Sequence, residues 1–194
     1  MGSLELELKG VVPDPAALAA RLTAAGGRRA FRGMLHDRRF DRAGELAARD
    51  EVLRTRRWVP DEGTPRTELG WKGPTARSPE GYKSREEREL TVTGGDAEAL
   101  LAGLGYAPVH AIDRRVEVWH VAEAVVRVEW YPRMDVLVEV EGAPGAIEAA
   151  IRASGLARAS FSDEPLAAFT ARYDAAHPGA PSLVAREGWR GGPA

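Results

Sequence analysis

The strongest constraint on the fold is a pattern of charged residues that alternate with apolar ones. It first appears near the N-terminus, where leucines separate Glu5, Glu7 and Lys9. Alternation with period two predicts a β-strand whose successive side chains point to opposite faces. One face of this strand is therefore apolar, and the other carries two carboxylates and an ammonium group.

The same pattern returns in later segments of the chain. The residues that share this charged face are the acids Glu5, Glu7, Glu87, Glu89, Glu129, Glu139 and Glu141 and the bases Lys9, Arg54, Arg56, Lys72, Arg85, Arg115 and Arg127. Short turns join several of these segments, which favours antiparallel pairing. About eight such strands with helices between them predict an α+β protein, built on an eight-stranded antiparallel β-barrel.

The charged faces allow two arrangements of this barrel. In the first, the apolar faces cover a core and the charges face solvent, as charged side chains usually do. In the second, the charges point into a wet interior and the apolar faces lie beneath helices that pack outside. The abundance of Glu and Arg favours the second arrangement, because guanidinium groups bind phosphate and paired carboxylates bind Mg²⁺ or Mn²⁺. Such an interior would suit a metal-bound polyphosphate.

Composition excludes several other classes of protein. A chain of 194 residues can bury one sizeable core, and a net charge of −2 gives no general case for nucleic acid or membrane partners. Cysteine is absent, which excludes disulfides and thiolate metal sites and is compatible with a reducing compartment. We therefore expect a cytoplasmic protein. Residues from Ala180 onward show no hydrophobic periodicity, so we expect one domain over residues 1–179 and a flexible C-terminal tail over residues 180–194.

The order of the charged segments resembles that of the CYTH superfamily, the triphosphate tunnel metalloenzymes. The N-terminal strand resembles the ExExK signature of that family, and VLRTRRW, LGWKGP, YKSREERE, DRRVEVW and LVEVEG resemble its later strands in the same order. These matches run from Glu5 to Gly142, and LGWKGP and LVEVEG are most similar to the class IV adenylate cyclase subgroup. The second strand departs from the family pattern, because LHDRRFD has Leu35 and Arg39 where the family often has glutamine and tyrosine.

The resemblance implies roles for individual residues. The implied metal ligands are Glu5, Glu7, Glu89, Glu129, Glu139 and Glu141, for Mg²⁺ or Mn²⁺. The implied substrate-binding residues are Lys9, Arg54, Arg56, Lys72, Arg85 and Arg115, to which strand parity alone adds Arg127. Glu87 and Lys9 are the candidate catalytic residues, because a carboxylate or a lysine of lowered pKa can act as a general base.

Three functions stay open within this resemblance. Attack of a ribose 3′-hydroxyl on the α-phosphate of ATP would give cyclic AMP and pyrophosphate, the class IV cyclase reaction. Attack of water on the terminal phosphoryl group would make the protein a triphosphatase, which would hydrolyse inorganic triphosphate, thiamine triphosphate or a nucleoside triphosphate. A module that binds polyphosphate or nucleotide without turnover is the third, which the retained acids disfavour. Cyclase-like members also imply a homodimer.

Overall fold

The alternating segments form strands of one antiparallel sheet. The computed structural model describes the backbone of residues 3–78 and 82–190, and within these ranges the side chains from residue 6 onward. The strands are β1 (Ser3–Val11), β2 (Arg28–Asp41), β3 (Val52–Pro60), β4 (Arg66–Lys72), β5 (Ala76–Arg77), β6 (Lys83–Val92), β7 (Ala107–Val121), β8 (Ala124–Trp130), β9 (Leu137–Glu141) and β10 (Phe161–Ser162).

Eight of these strands close into a barrel. They run in the order β1-β9-β8-β7-β2-β3-β4-β6, and β1 also pairs with β6, so that the sheet closes on itself. The short strands β5 and β10 add to β6 and β1. The predicted α+β class and eight-stranded antiparallel barrel are therefore confirmed.

Four α-helices lie outside the barrel: α1 (Pro15–Ala24), α2 (Ala97–Gly103), α3 (Pro144–Ser154) and α4 (Leu166–Ala176). Asp14 caps α1 by accepting a hydrogen bond from the backbone of Ala17. Asp163, which precedes α4 in the chain, does not cap that helix. The residue that precedes α4 is Pro165, and Asp163 forms an ion pair with Arg77. No helix in the described part of the chain is long and apolar enough to span a membrane.

The main apolar core lies between the barrel wall and two of the helices. Leu8, Val126 and Val138, on the outer faces of β1, β8 and β9, belong to one buried cluster with Leu22 of α1 and Ile151 of α3. The charged faces of these strands therefore point inward. The alternative arrangement, with solvated charges around an apolar interior, is wrong for this side of the barrel.

Apolar residues also occupy part of the barrel interior. Leu35, Trp58 and Val116 form one buried cluster on the inward faces of β2, β3 and β7. A second cluster joins Ile112 of β7 to Phe169 of α4. The charged cavity is thus bounded by apolar side chains and is not charged throughout.

Two further features concern strand β7 and the C-terminal residues. Strand β7 runs without interruption from Ala107 to Val121, because it pairs with β2 over nearly its whole length. Residues within the predicted tail contact the barrel: Leu183 pairs with Arg133, and the backbone of Asp113 donates to the carbonyl oxygen of Val184 over 2.8 Å. The division of the chain at residue 180 stays a prediction.

Candidate active site

The barrel encloses a cavity of about 590 Å³, which is within the usual size range of small-molecule sites. The predicted site residues that line it are Glu7, Lys9, Arg54, Arg56, Lys72, Arg85, Glu87, Glu89, Arg127, Glu129, Glu139 and Glu141. The side chain of Glu5 lies outside the described residues, although its backbone pairs with Arg85. The inward parity inferred from the sequence therefore brings most of the predicted residues to one cavity.

Three glutamates converge on one side of this cavity. Glu7, Glu139 and Glu141 each offer a carboxylate oxygen, and these oxygens lie within 4.8 Å of one another. The convergence follows from strand pairing, because Glu7 of β1 is the register partner of Glu141 in β9. Carboxylate oxygens are the ligands that Mg²⁺ and Mn²⁺ prefer, so this group fits one divalent cation.

Three cations hold the glutamates in place. Lys83 donates to Glu7, Lys9 donates to Glu139, and Arg127 donates to Glu139 over 2.5 Å and to Glu141 over 2.9 Å. We call these six residues the Glu139 cluster: Glu7, Lys9, Lys83, Arg127, Glu139 and Glu141. Its carboxylates are brought together by cations of the protein, which a metal ion could replace.

Burial changes the acid–base properties of Lys9. Removal from water lowers the pKa of its ammonium group, and the nearby charges of Glu7 and Glu129 only partly oppose this. A lysine of lowered pKa releases its proton more readily, which is one requirement of a general base. The candidate catalytic role of Lys9 stays a prediction.

A second buried cluster surrounds Asp37 in β2. Arg56 donates to its two oxygens over 2.8 and 3.1 Å, and Arg114 donates to it over 3.0 Å. Arg114 also donates to Glu129 over 2.8 Å, and the hydroxyl of Tyr131 donates to Glu129 over 2.6 Å. We call these five residues the Asp37 cluster.

The arginines keep both acids of the Asp37 cluster ionised. Burial by itself would raise the pKa of Asp37, but Arg56 and Arg114 hold it well below its usual value. Burial would also raise the pKa of Glu129, but the charge of Arg114, followed by those of Lys9 and Arg127, lowers it to about 2. These carboxylates are therefore anions at neutral pH, each bound by cations.

Glu129 differs from the other predicted metal ligands in its contacts. It is not part of the group formed by Glu7, Glu139 and Glu141, and its oxygens accept hydrogen bonds from Arg114 and Tyr131. In this geometry Glu129 orients Arg114, and its role as a metal ligand stays a prediction.

The structure corrects the placement of Arg115. Its guanidinium donates to Asp61 over 3.1 and 2.5 Å outside the cavity, whereas the neighbouring Arg114 lines the cavity. The physical reason is strand parity. The outward face of β7 carries Asp113, Arg115 and Glu117 in succession, so its charge pattern resembled an inward face.

The third side of the cavity carries further cations that are bound by acids. Arg54 donates to Glu89 over 2.7 Å, and Lys72 forms an ion pair with Glu87. Arg85 donates to backbone carbonyl oxygens of neighbouring segments. Glu87 and Glu89 thus lie among the bases and away from the three converging glutamates, which leaves the catalytic role of Glu87 and the metal role of Glu89 as predictions.

Sequence reasoning missed several residues of the cavity, namely Asp37, Arg39, Lys83, Arg114 and Tyr131. For three of them a signal was present, because Lys83 has the same parity as Arg85, and because Asp37 and Arg39 are charged residues two positions apart in β2. Tyr131 follows the end of β8, where no alternation could indicate its direction.

Comparison with known proteins shows the fold. No protein-family model and no curated protein matches the sequence. A solved structure of a candidate adenylate cyclase from Vibrio parahaemolyticus matches with a TM-score of 0.70 at 16% identity, over 88% of this chain and 99% of that one. The protein PH1819 from Pyrococcus horikoshii matches with a TM-score of 0.68 at 21% identity, over 84% of this chain and 96% of that one.

A third matching structure is that of a protein with a known activity. HpAC1 from Hippeastrum, a candidate adenylyl cyclase with a dominant triphosphatase activity, matches with a TM-score of 0.58 at 17% identity, over 89% of this chain and 96% of that one. At such identities the shared feature is the architecture, because one fold can host several functions. The chain has the barrel fold of these structures, which is consistent with its resemblance to the CYTH superfamily.

Proposed function

We propose that this protein is a divalent-metal-dependent enzyme that acts on a triphosphate inside the barrel. The observation that supports this proposal most strongly is the content of one cavity. Three carboxylates converge within 4.8 Å, and arginine and lysine side chains line the same space. A metal-bound polyphosphate needs both sets, since carboxylates bind the cation and guanidinium or ammonium groups bind the phosphate oxygens.

Each side of the cavity has a part in this proposal. Glu7, Glu139 and Glu141 would hold Mg²⁺ or Mn²⁺, which when bound offsets the charge that develops on the phosphate oxygens. Arg54 on β3, Lys72 on β4 and Arg85 on β6 would bind and orient the phosphate chain. Arg56 is held by Asp37, so its role in substrate binding stays a prediction. Such positioned charges supply most of the catalysis in phosphoryl transfer, because little covalent chemistry is required of the protein.

Within this class we propose the class IV adenylate cyclase reaction. The ribose 3′-hydroxyl would attack the α-phosphorus, the bond to the bridging oxygen would break, and pyrophosphate would leave. The hydroxyl proton would pass to a general base, for which Glu87 and Lys9 are the candidates. The proposal is supported by the similarity of LGWKGP and LVEVEG to the cyclase subgroup and by the Vibrio protein described as a candidate cyclase.

Triphosphatase activity is the second candidate. Here water would attack the terminal phosphoryl group and release orthophosphate. Two observations favour it: HpAC1 from Hippeastrum has this fold and a dominant triphosphatase activity, and the cavity lining is mostly charged, with few apolar residues to contact an adenine. In either case we propose a cytoplasmic homodimer without nucleic-acid or membrane partners.

The test is a substrate panel scored by product identity. The protein is incubated with ATP, tripolyphosphate or thiamine triphosphate in Mg²⁺ or Mn²⁺, and the products are separated by ion-exchange chromatography. Cyclic AMP with pyrophosphate supports the cyclase, and orthophosphate supports the triphosphatase. Chelation of the metal should stop either reaction. Ligand-dependent stabilisation without any product would identify a binding module and would contradict the proposed enzyme.

A further inference from the structure

Arg39 is a cavity residue that neither of the two clusters includes. It lies on the inward face of β2, two residues after Asp37, and lines the cavity. Its register partners are Arg54 in β3 and His110 in β7. The CYTH-like pattern often has a tyrosine at this position, and this chain departs from it by placing a positive charge here.

Arg39 differs from the other cations of the cavity in its pairing. Every other arginine or lysine of the cavity forms an ion pair within the described residues. Arg39 forms no hydrogen bond or ion pair among the residues that the structure describes. Asp37, the acid whose charge acts on Arg39, is already bound by Arg56 and Arg114.

Electrostatics makes this position unfavourable for a cation in the absence of an anion. Burial lowers the pKa of the Arg39 guanidinium, and the charges of Arg54, Arg114 and Arg85 lower it further against the opposing effect of Asp37. A guanidinium that faces three other cations raises the local positive potential. An anion that enters the cavity can bind here without displacing a carboxylate of the protein.

The position of β2 in the barrel indicates which anion this is. In the ring of eight strands, three strands separate β2 from β1 on either side, so Arg39 and the Glu139 cluster line the cavity from opposite walls. We propose that Arg39 binds the far phosphate of a chain whose other end lies at Glu7, Glu139 and Glu141. Arg39 would then select chain length, favouring tripolyphosphate over pyrophosphate. This inference rests on the proposed function and assigns a specificity-determining residue to it.

The experiment measures binding and not turnover. Isothermal titration calorimetry compares pyrophosphate and tripolyphosphate, each with Mn²⁺, on the wild-type protein and on Arg39→Gln, Arg39→Lys and Arg115→Gln. Arg39→Gln should weaken tripolyphosphate binding by about tenfold or more, the effect of one charge-assisted contact, and should change pyrophosphate binding by less than about twofold. The affinity of Arg39→Lys for tripolyphosphate should lie between those of the wild type and Arg39→Gln, because lysine keeps the charge without the planar fork.

Arg115→Gln is the matched control, because it removes one positive charge from the outer face of the barrel. It should leave the affinity for both anions unchanged. The melting temperature of ligand-free Arg39→Gln should equal or exceed that of the wild type, since the substitution relieves repulsion between cations. If Arg39→Gln weakened the binding of both anions equally, or of neither, the inference would be overturned. A melting temperature of this variant below that of the wild type would also overturn it.

The outcomes separate this inference from the proposed function. If the substrate panel gives product and Arg39→Gln still binds tripolyphosphate normally, the chain-length role fails and the enzyme proposal stands. If no substrate is turned over but the chain-length dependence follows Arg39, the enzyme proposal fails and the anion site stands.

Discussion

The Asp37 cluster and the Glu139 cluster are both buried groups of charges in one barrel, but they are arranged differently. In the Asp37 cluster, arginines separate the acids, and each carboxylate accepts hydrogen bonds at 2.6–3.1 Å. In the Glu139 cluster, three carboxylates converge within 4.8 Å, and two of the three cations that hold them are lysines. The first arrangement is complete without a ligand, whereas the second concentrates negative charge at one point.

The difference shows how one interior can serve both stability and function. A planar guanidinium fork is pre-organised for a carboxylate, whereas a lysine is a point charge on a flexible stem and can move away from its partner. We therefore expect the Asp37 cluster to stabilise the barrel and the Glu139 cluster to exchange its cations for a metal ion. Each of the following substitutions should affect mainly one of these properties.

The largest expected effect is on activity, from a change in the Glu139 cluster. Glu141→Gln removes one of three carboxylates while keeping the size of the side chain. We expect turnover with Mg²⁺ or Mn²⁺ to fall by about 100-fold or more, the usual effect of removing one transition-state contact. Steady-state kinetics with the substrate that the wild type converts measures this rate, and the melting temperature should change little. Turnover within about threefold of wild type would show that Glu141 does not bind the metal.

The next effect is on stability, from the centre of the Asp37 cluster. Asp37→Asn leaves Arg56 and Arg114 buried without their shared anion. The free energy of unfolding should fall by about 3–5 kcal/mol, because breaking a buried pair strands the remaining charges. Urea denaturation measures this, with Asp61→Asn as the control for an exposed pair that contributes about 0–1 kcal/mol. Similar losses in the two variants would contradict the structural role of this cluster.

The stability of the Asp37 cluster should also depend on acidity. The pKa of Glu129 is about 2 in the folded protein and 4.5 is its ordinary value. A lowered folded pKa stabilises the protein above the unfolded pKa, and this contribution is lost as the pH falls from about 4.5 towards 2. The loss attributable to Glu129 is roughly 3 kcal/mol. Urea denaturation across this range should give a flatter profile for Glu129→Gln than for wild type, and parallel profiles would contradict the assignment.

The smallest expected effect is that of one hydroxyl group. Tyr131→Phe removes the 2.6 Å hydrogen bond to Glu129 and leaves the ring in place. A hydrogen bond to a charged group contributes roughly 1.5–3 kcal/mol, so the free energy of unfolding should fall by that amount or less. Affinity for Mn²⁺ should stay unchanged, since Tyr131 is not part of the Glu139 cluster. Weaker Mn²⁺ binding in this variant would show that the two clusters are coupled.

Much of the fold could be predicted from period-two alternation, because strand parity decides which side chains share a face. The same reasoning placed Glu7 and Glu139 on the inward side, where they lie in the structure. It failed for Arg115, because both faces of β7 carry charge and the outward face carries more. Parity alone cannot choose between two charged faces, and pairing with β2 and β8 decides it.

The distinction between the two clusters could not be predicted. Glu129 and Glu139 have the same residue type and the same parity, and both lie inside the barrel. Their roles diverge because Glu129 meets Arg114 across the strands whereas Glu139 meets two other glutamates. Such encounters depend on barrel closure and strand register, which involve residues far apart in the chain.

The most direct test of the account is the position of a bound metal. Crystals grown with Mn²⁺ and tripolyphosphate can be measured for anomalous scattering at the manganese edge. We predict one strong peak at coordination distance from the carboxylates of Glu7, Glu139 and Glu141, with the phosphate chain extending from it towards β2. A peak elsewhere in the barrel, or tripolyphosphate bound with Lys9 and Arg127 still paired to Glu139 and no manganese between the glutamates, would contradict it.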